Sequence, residues 1–400
     1  MALKAILPQI GPASRLAGRV IAEALMTIRG KRRVRRRKAA KPGVPGATGI
    51  RLALGLAQLA AQGMTALVAT AKPPRSAKPA EKRANSKTRV PGVVGRPRSS
   101  FSAGTHSCPQ GSLRYRIFKP GAAAGSKPMP LLIMLHGCAQ TPEDFATGTG
   151  MNVLAKERGV IVVYPGQSSK AHSNRCWNWF DPAHTARGLG EAAAIASLTR
   201  RVLDTHGADP ARVYVAGLSA GASMALALAH AYPDLFAAAG VHSGLPLGAA
   251  RDQLSAIMAM QRGNPGVRLD RAVPTIVFHG SHDRVVHPRN GRLVAIRARE
   301  PYIALRHAQS AGRAAGGHAY AKSVDRINAG RPLVEHWTIR GAGHAWSGGS
   351  PRGRFTDPKG PDASREMLHF LLRHSLAART RKALASALAR QAALSSLRSG

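Results

Sequence analysis

Four short runs constrain this chain most: PLLIMLHG (130–137), VIVVYPG (160–166), RVYVAG (212–217) and PTIVFHG (274–280). Each is apolar at almost every position and each closes on a glycine. Strict alternation would mark a strand with one wet face. A run that is apolar throughout marks a strand covered on both faces. Helical stretches separate the runs: MNVLAKERG (151–159), EAAAIASLTRRVLDTHG (191–207) and SAGASMALALAHAYP (219–233). Further strands are expected at LRYRIFKP (113–120), AAAGVHSG (237–244) and EHWTIRGAGH (335–344), with a closing helix over 363–376. Strands alternating with helices predict an α/β fold, a mostly parallel sheet with helices on both faces. In such sheets the chemistry lies in the loops beyond the carboxyl ends of the strands.

This pattern occupies 106–376. Residues 1–105 differ in kind. They hold two Ala/Leu-rich stretches (13–29 and 50–71) that suit helices, broken by Arg/Lys clusters such as KRRVRRRK and by Pro-rich linkers. The chain carries 59 Lys+Arg against 19 Asp+Glu, a formal charge of +40 over 400 residues. About half of that excess falls in the first 100 residues. Residues 377–400 add a basic, Ala-rich tail. The charge is therefore mainly a property of the ends. It suits a largely disordered or partly helical extension held to a polymer granule or an anionic surface, or a tail that only solubilises. Nucleic acid is not the expected partner.

No run is long and apolar enough for a membrane span. The opening MALKAILPQIGPASR is interrupted by proline and glycine and reads poorly as a secretory signal. A second signal-like pattern runs from the basic cluster at 31–38 through Leu52–Val68 to Ala69-Thr70-Ala71, deep in the chain. These features point to a cytoplasmic or granule-associated protein.

Within RVYVAGLSAGAS, Gly217-Leu218-Ser219-Ala220-Gly221 matches G-x-S-x-G with a strand before it and a helix after it. That context places a serine on a sharp turn with its hydroxyl exposed. A serine nucleophile needs a base, and the base needs an orienting acid. In this architecture they follow in the order acid, then histidine, each after a later strand. Asp283 in FHGSHDRVV and His344 in RGAGHAW meet both conditions. Asp270 and Asp325 lie on polar stretches with no strand before them. His318 lies in a Gly/Ala loop, and His336 lies inside a strand. His279, His282, Asp283 and His287 also suggest metal ligands, but they lack a helical register, and no metal or cofactor is expected. For an oxyanion, two backbone N–H groups are required. Ala220 follows the nucleophile, and Cys138 lies in the loop after the first apolar strand.

The run Cys176-Trp177-Asn178-Trp179-Phe180 gathers three aromatics in a chain that is only 4% aromatic. It reads either as an apolar wall for substrate, with Trp346 as a similar case, or as a small core beneath a long loop. The chain has three cysteines. Cys138 and Cys176 fall on loops at the same edge of the sheet, and the sequence leaves their pairing open.

The segments LHGCAQTPEDF, CWNWF, VYVAGLSAGASMA, YPDLFAAAGVHSGLP, FHGSHDRVVHPRNG and GAGHAWSGGSPRGRFTDPKGPDASREMLHFL resemble the polyhydroxybutyrate depolymerase family of esterases, whose relatives include feruloyl and acetylxylan esterases. The resemblance covers 106–376. It implies an α/β-hydrolase fold, a Ser219–Asp283–His344 triad, an extracellular setting and cofactor-free hydrolysis of carboxylic esters, most directly hydroxyalkanoates. The chain shows no Ser/Thr-rich linker and no separate substrate-binding module after this region, which favours soluble oligomers as substrate.

Overall fold

A computed structural model describes residues 98–121 and 127–377. The expectations for the basic extension through residue 97, and for the tail from 378, concern residues outside the described ones.

The core is a ten-stranded sheet. Its strands are β1 (Ser100–Cys108), β2 (Gly111–Lys119), β3 (Leu131–Leu135), β4 (Ile161–Gly166), β5 (Val213–Leu218), β6 (Ala238–His242), β7 (Thr275–Gly280), β8 (Leu305–Arg313), β9 (Ala319–Ile327) and β10 (Pro332–Ile339). They lie in the order β1-β2-β4-β3-β5-β6-β7-β10-β9-β8. The central six, from β4 to β10, are parallel, and antiparallel hairpin strands close both edges.

The apolar runs form the central strands because both of their faces are covered. Leu131, Ile133 and Leu135 of β3 face one layer, with Val213 and Val215 of β5. That layer is closed by α4 (Gly190–His206) and α5 (Ala220–Ala231), through Ile195, Leu198, Met224 and Leu228. Leu132 and Met134 face the other way, with Val162, Tyr214 and Phe278. There they meet α2 (Met151–Arg158), which follows α1 (Pro142–Thr149), and the closing helix α8 (Ala363–Leu371). The short α3 (Pro182–Thr185) precedes α4, and α6 (Gln253–Arg262) and α7 (Arg289–Arg299) flank β7 in sequence. Each fully buried Leu, Ile or Val contributes about 1.5–3 kcal/mol, so the two faces of the central strands dominate the fold's stability. Among the described residues no helix is long and apolar enough to cross a membrane.

The folded part begins before 106. Strand β1 starts at Ser100 and pairs with β2 along its whole length, from Ser100↔Lys119 to Cys108↔Gly111. Its sequence, SFSAGTHSC, has no apolar alternation because it is an exposed edge strand held chiefly by backbone bonds. The closing helix ends at Leu371 rather than 376, and Leu376 N–H donates to Ala211 O.

Candidate active site

Ser219 stands alone between the end of β5 and the first residue of α5, with φ 57° and ψ −121°. A non-glycine residue there costs about 1–3 kcal/mol and persists only where its surroundings over-determine it. They do. Ser219 N–H donates to His242 O at 2.9 Å, and Ser219 O accepts from Ala222 and Ser223 N–H at 3.0 Å each. The flanking glycines are required by close approach. A Cβ on Gly217 would collide with the backbone of Gly221 and with Leu135 O, and one on Gly221 with Leu135 O and His136 O. The start of α5 is thereby pressed against the end of β3.

Asp283 follows β7 and is buried. Its Oδ1 accepts from Val285 and Val286 N–H at 2.9 and 2.8 Å. Its Oδ2 accepts from His344 Nδ1 at 2.7 Å and lies 3.3 Å from His279 Nε2. Burial works to raise the Asp283 pKa, but the hydrogen bonds from His279 and His344 outweigh it and hold the carboxyl far below the usual carboxylate range. The carboxylate stays ionised and fixes His344 with Nδ1–H toward Asp283, leaving Nε2 as the basic face. Strands β5, β6, β7 and β10 are successive parallel neighbours, so the residues that follow β5, β7 and β10 sit at one edge of the sheet.

At the same edge lies the loop after β3. Gly137 N–H donates to Gln140 Oε1 at 3.0 Å, Ala139 N–H to Asn174 O at 2.7 Å and Gln140 N–H to Gly137 O at 3.3 Å. The Cys138 N–H between them has no acceptor among the described residues. Ala220 N–H heads α5, where helix geometry leaves donors without an intrahelical partner. Cys138 and Ala220 are the residues whose N–H groups the sequence offers as oxyanion donors.

The loop is heavily braced. Cys138 is joined to Cys176 in a disulfide with Cα atoms 4.3 Å apart, which settles the pairing the sequence left open. Trp177 Nε1–H donates to His136 O at 3.1 Å, and Arg354 Nη1–H to Ala139 O at 2.9 Å. His136 Nε2 accepts from Gln167 N–H at 3.0 Å. Burial depresses the His136 pKa to about 4, so the ring is neutral and able to accept. Behind it, the buried Glu191 carboxylate takes Gln167 Nε2–H, Asn178 N–H and Asn178 Nδ2–H. Burial raises the Glu191 pKa against those bonds.

Of the three tryptophans that the sequence reads either as a substrate wall or as a small core, two belong to the core. Trp177 is fully buried in the layer beneath α4 and α5, because its indole is needed under the His136 turn. Trp346 is also buried. It stacks on His242, meets Phe145 edge-on and donates Nε1–H to Ser364 Oγ. Trp179 is half-buried and packs against the cluster of Leu245, Ala249, Ala259 and Val286, the last on the loop that carries Asp283.

The rival acids and histidines separate from the site. Asp325 lies within β9 rather than on a strandless stretch, and it binds Arg299 and His307 at 2.7 Å each. Asp270 is exposed. His318 binds Asp357 at 2.9 Å. His336 is half-buried within β10, where desolvation of its ring pushes its pKa down to about 3. Of the four possible metal ligands within and just after β7, only His279 and Asp283 meet; His282 turns to Ser281 and His287 to Arg289 N–H. Among the described residues no three such side chains gather for a metal. Two surface hollows, of about 470 and 340 Å³, lie elsewhere, and Ser219 lines neither.

Sequence reasoning missed His242, whose carbonyl accepts the Ser219 N–H, and weighed His279 only as a metal ligand, whereas its Nε2–H donates to Val286 O and lies against Asp283. Their only sequence signal is a histidine inside an otherwise apolar strand.

The disulfide leads to a direct expectation. Closing a loop of 38 residues restricts the unfolded chain by about 4 kcal/mol in the chain-entropy account. The bridge also carries the Cys138 backbone. Replacing both cysteines by serine should lower the unfolding free energy by up to that amount, as read by urea titration. Turnover at the Ser219 site should fall by about tenfold or more through the loosened Cys138 N–H. Unchanged turnover would show that Cys138 is not held by the bridge.

Comparison with known proteins agrees with this geometry. The family described as "Esterase PHB depolymerase" matches residues 113–315. Poly(3-hydroxyalkanoate) depolymerase C of Paucimonas lemoignei is 37% identical over 231 residues, covering 54% of this chain and 54% of that protein. Feruloyl esterase B of Thermothelomyces thermophilus is 36% identical over 128 residues, covering 32% of this chain and 43% of that protein. The chain thus spans about half the length of these curated relatives or less. Among solved structures, an acetyl xylan esterase from Aspergillus awamori superposes with a TM-score of 0.53 at 21% identity, over 68% of this chain and 99% of that one. That likeness supports the fold alone. With an α/β-hydrolase sheet, a strained serine elbow at its edge and a profile match over half its length, the chain belongs to the esterase PHB depolymerase family.

Proposed function

We propose that the chain is a serine esterase that hydrolyses carboxylic esters through an acyl-enzyme. The observation that carries this reading is the pair of half-buried His344 and buried Asp283 at 2.7 Å, on the sheet edge where the Ser219 turn also sits. His344 Nε2 takes the Ser219 Oγ proton as the oxygen attacks the ester carbonyl. The carbonyl oxygen becomes an oxyanion held by the Cys138 and Ala220 N–H groups. Collapse of the tetrahedral intermediate breaks the ester C–O bond, and the alcohol leaves with the proton from His344. Water then attacks the acyl-enzyme, giving its proton to His344. The acid departs as Ser219 regains its hydrogen. Asp283 does not take a proton; it orients His344 and stabilises the imidazolium.

For substrate, the best-matched region argues for hydroxyalkanoate esters, poly(3-hydroxybutyrate) or its oligomers, since identity to the depolymerase extends over 231 residues. A feruloyl or acetylxylan ester is the second reading, favoured by the 36% identity to a feruloyl esterase. Trp179, the one tryptophan of the three not fully buried, is the proposed apolar contact for the acyl chain. The basic extension would hold the enzyme on a granule or another anionic surface. The test is hydrolysis by the full chain of a 3-hydroxybutyrate oligomer, polymer granules and a feruloyl ester, beside Ser219→Ala. The oligomer should be cleaved at least about tenfold faster, in kcat/KM, than the feruloyl ester. A reversed order would move the assignment to the second reading, and equal rates in the Ser219→Ala control would remove both.

A further inference from the structure

We infer that His242 is a positioning residue that locks the nucleophile's turn and the base's loop into one register. The inference rests on the esterase reading and adds to it a residue outside the Ser219–His344–Asp283 set.

His242 is the last residue of β6, between the strands that deliver Ser219 and Asp283, and it is fully buried. It makes contacts in both directions. Its carbonyl accepts the Ser219 N–H at 2.9 Å, one of the bonds that force the serine into its strained backbone. Its ring Nε2 accepts the Ser347 N–H at 3.0 Å, three residues beyond His344. An N–H pointing at Nε2 requires that nitrogen to be unprotonated. The ring hydrogen therefore sits on Nδ1, which faces Ser243 Oγ at 3.1 Å. The imidazole is clamped flat between two aromatic rings, Phe278 at 5.8 Å and 10° and Trp346 at 5.0 Å and 25°. Ser347 is itself buried, and its Oγ–H donates to Pro361 O at 2.7 Å.

The two contacts differ in what they demand. The carbonyl contact would survive any side chain. The ring contact needs a buried, neutral acceptor at one position, and without it the Ser347 N–H would be buried unpaired. The charged and titratable groups that act on the ring are His279, His344 and Asp283. Burial, followed by repulsion from the two histidines, depresses the His242 pKa to about 3, so the ring remains an acceptor while His344 cycles. The loop carrying His344 is thus tied to the same residue that ties the nucleophile's backbone. A slip in either would alter the Ser219–His344 approach, to which proton transfer is steeply sensitive.

The experiment uses the full chain with His242→Phe, which keeps the aromatic stack and removes the acceptor, and His242→Gln, which offers an amide oxygen to Ser347. Turnover of a soluble ester is measured with amide hydrogen exchange over residues 341–348. Phenylalanine should lower kcat by about ten- to a hundredfold with KM within twofold, and raise exchange in the 341–348 segment. Glutamine should recover at least about a third of wild-type kcat and restore protection of the segment. A phenylalanine variant with kcat within twofold of wild type, a loss confined to KM, or a glutamine variant no better than phenylalanine would each overturn the inference. If phenylalanine does not fold, His242→Leu takes its place with the same expectations. A wild-type chain that cleaves no ester would count against the esterase reading instead, and the exchange measurement would still decide the positioning role.

Discussion

Ser219→Ala should abolish ester turnover, lowering kcat by about 10⁴-fold or more, while leaving the fold intact. Removal of a serine nucleophile costs about as much as removal of a whole triad, because its members act as a unit. The fold should not suffer, because the Ser219 hydroxyl bonds to no other described residue, and alanine keeps the same Cβ in the same backbone conformation. Unfolding free energy is expected to change by less than about 0.5 kcal/mol. Ser219→Gly should remove turnover equally and gain about 1 kcal/mol of stability by relieving the positive φ of 57°. Urea titration beside steady-state kinetics checks both. Turnover within tenfold of wild type in the alanine variant would contradict the assignment.

The second large effect is acid sensitivity of the folded chain. Burial is the first cause of depressed pKa values at three histidines: His136 to about 4, His242 to about 3 and His336 to about 3. In the unfolded chain each titrates near 6.5. A folded pKa below the unfolded one means that the unfolded chain binds more protons between the two values, so stability rises with pH across that window. Above about pH 7.5 all three are neutral in both states and contribute no slope. Below pH 6.5 each approaches about 1.4 kcal/mol lost per pH unit, and the three together remove roughly 6 kcal/mol by pH 5. A domain with a total stability of about 5–15 kcal/mol then stands at or near its limit. Asp283 adds to this only below about pH 4, because its folded pKa is depressed and its contribution is lost only as pH falls below the unfolded carboxylate value. Unfolding free energies at pH 8, 7, 6 and 5 should be flat over the first interval and fall steeply over the last. Equal stability at pH 7 and 5 would show that these rings are solvated or paired.

Much of this was legible in the sequence, for a physical reason. Central parallel strands are apolar on both faces, so LLIML, IVVYPG and TIVFHG declare themselves without reference to partners. Ser219, Asp283 and His344 each follow a strand of the same parallel set, β5, β7 and β10. Edge strands are different. SFSAGTHSC and LRHAQSAGR are held by neighbouring backbones and keep exposed side chains, so β1 and β8 carry little apolar pattern. The tryptophans stayed ambiguous in the sequence for a related reason. An indole in a loop suits a ligand wall and a braced turn equally well, and only the Trp177 bond to His136 O distinguishes them. His242, and the role of His279 beside Asp283, were illegible because their partners are set by the sheet order β5-β6-β7-β10, which a linear sequence does not state.

The most direct test of the account is covalent. The full chain is treated with a serine-reactive phosphonate ester, digested, and mapped by mass spectrometry, beside His344→Ala. The account predicts one modified site, Ser219, formed rapidly in the wild type and slowed by about a hundredfold or more when the base is removed. Modification at another residue, or at Ser219 with equal speed in both proteins, would contradict it.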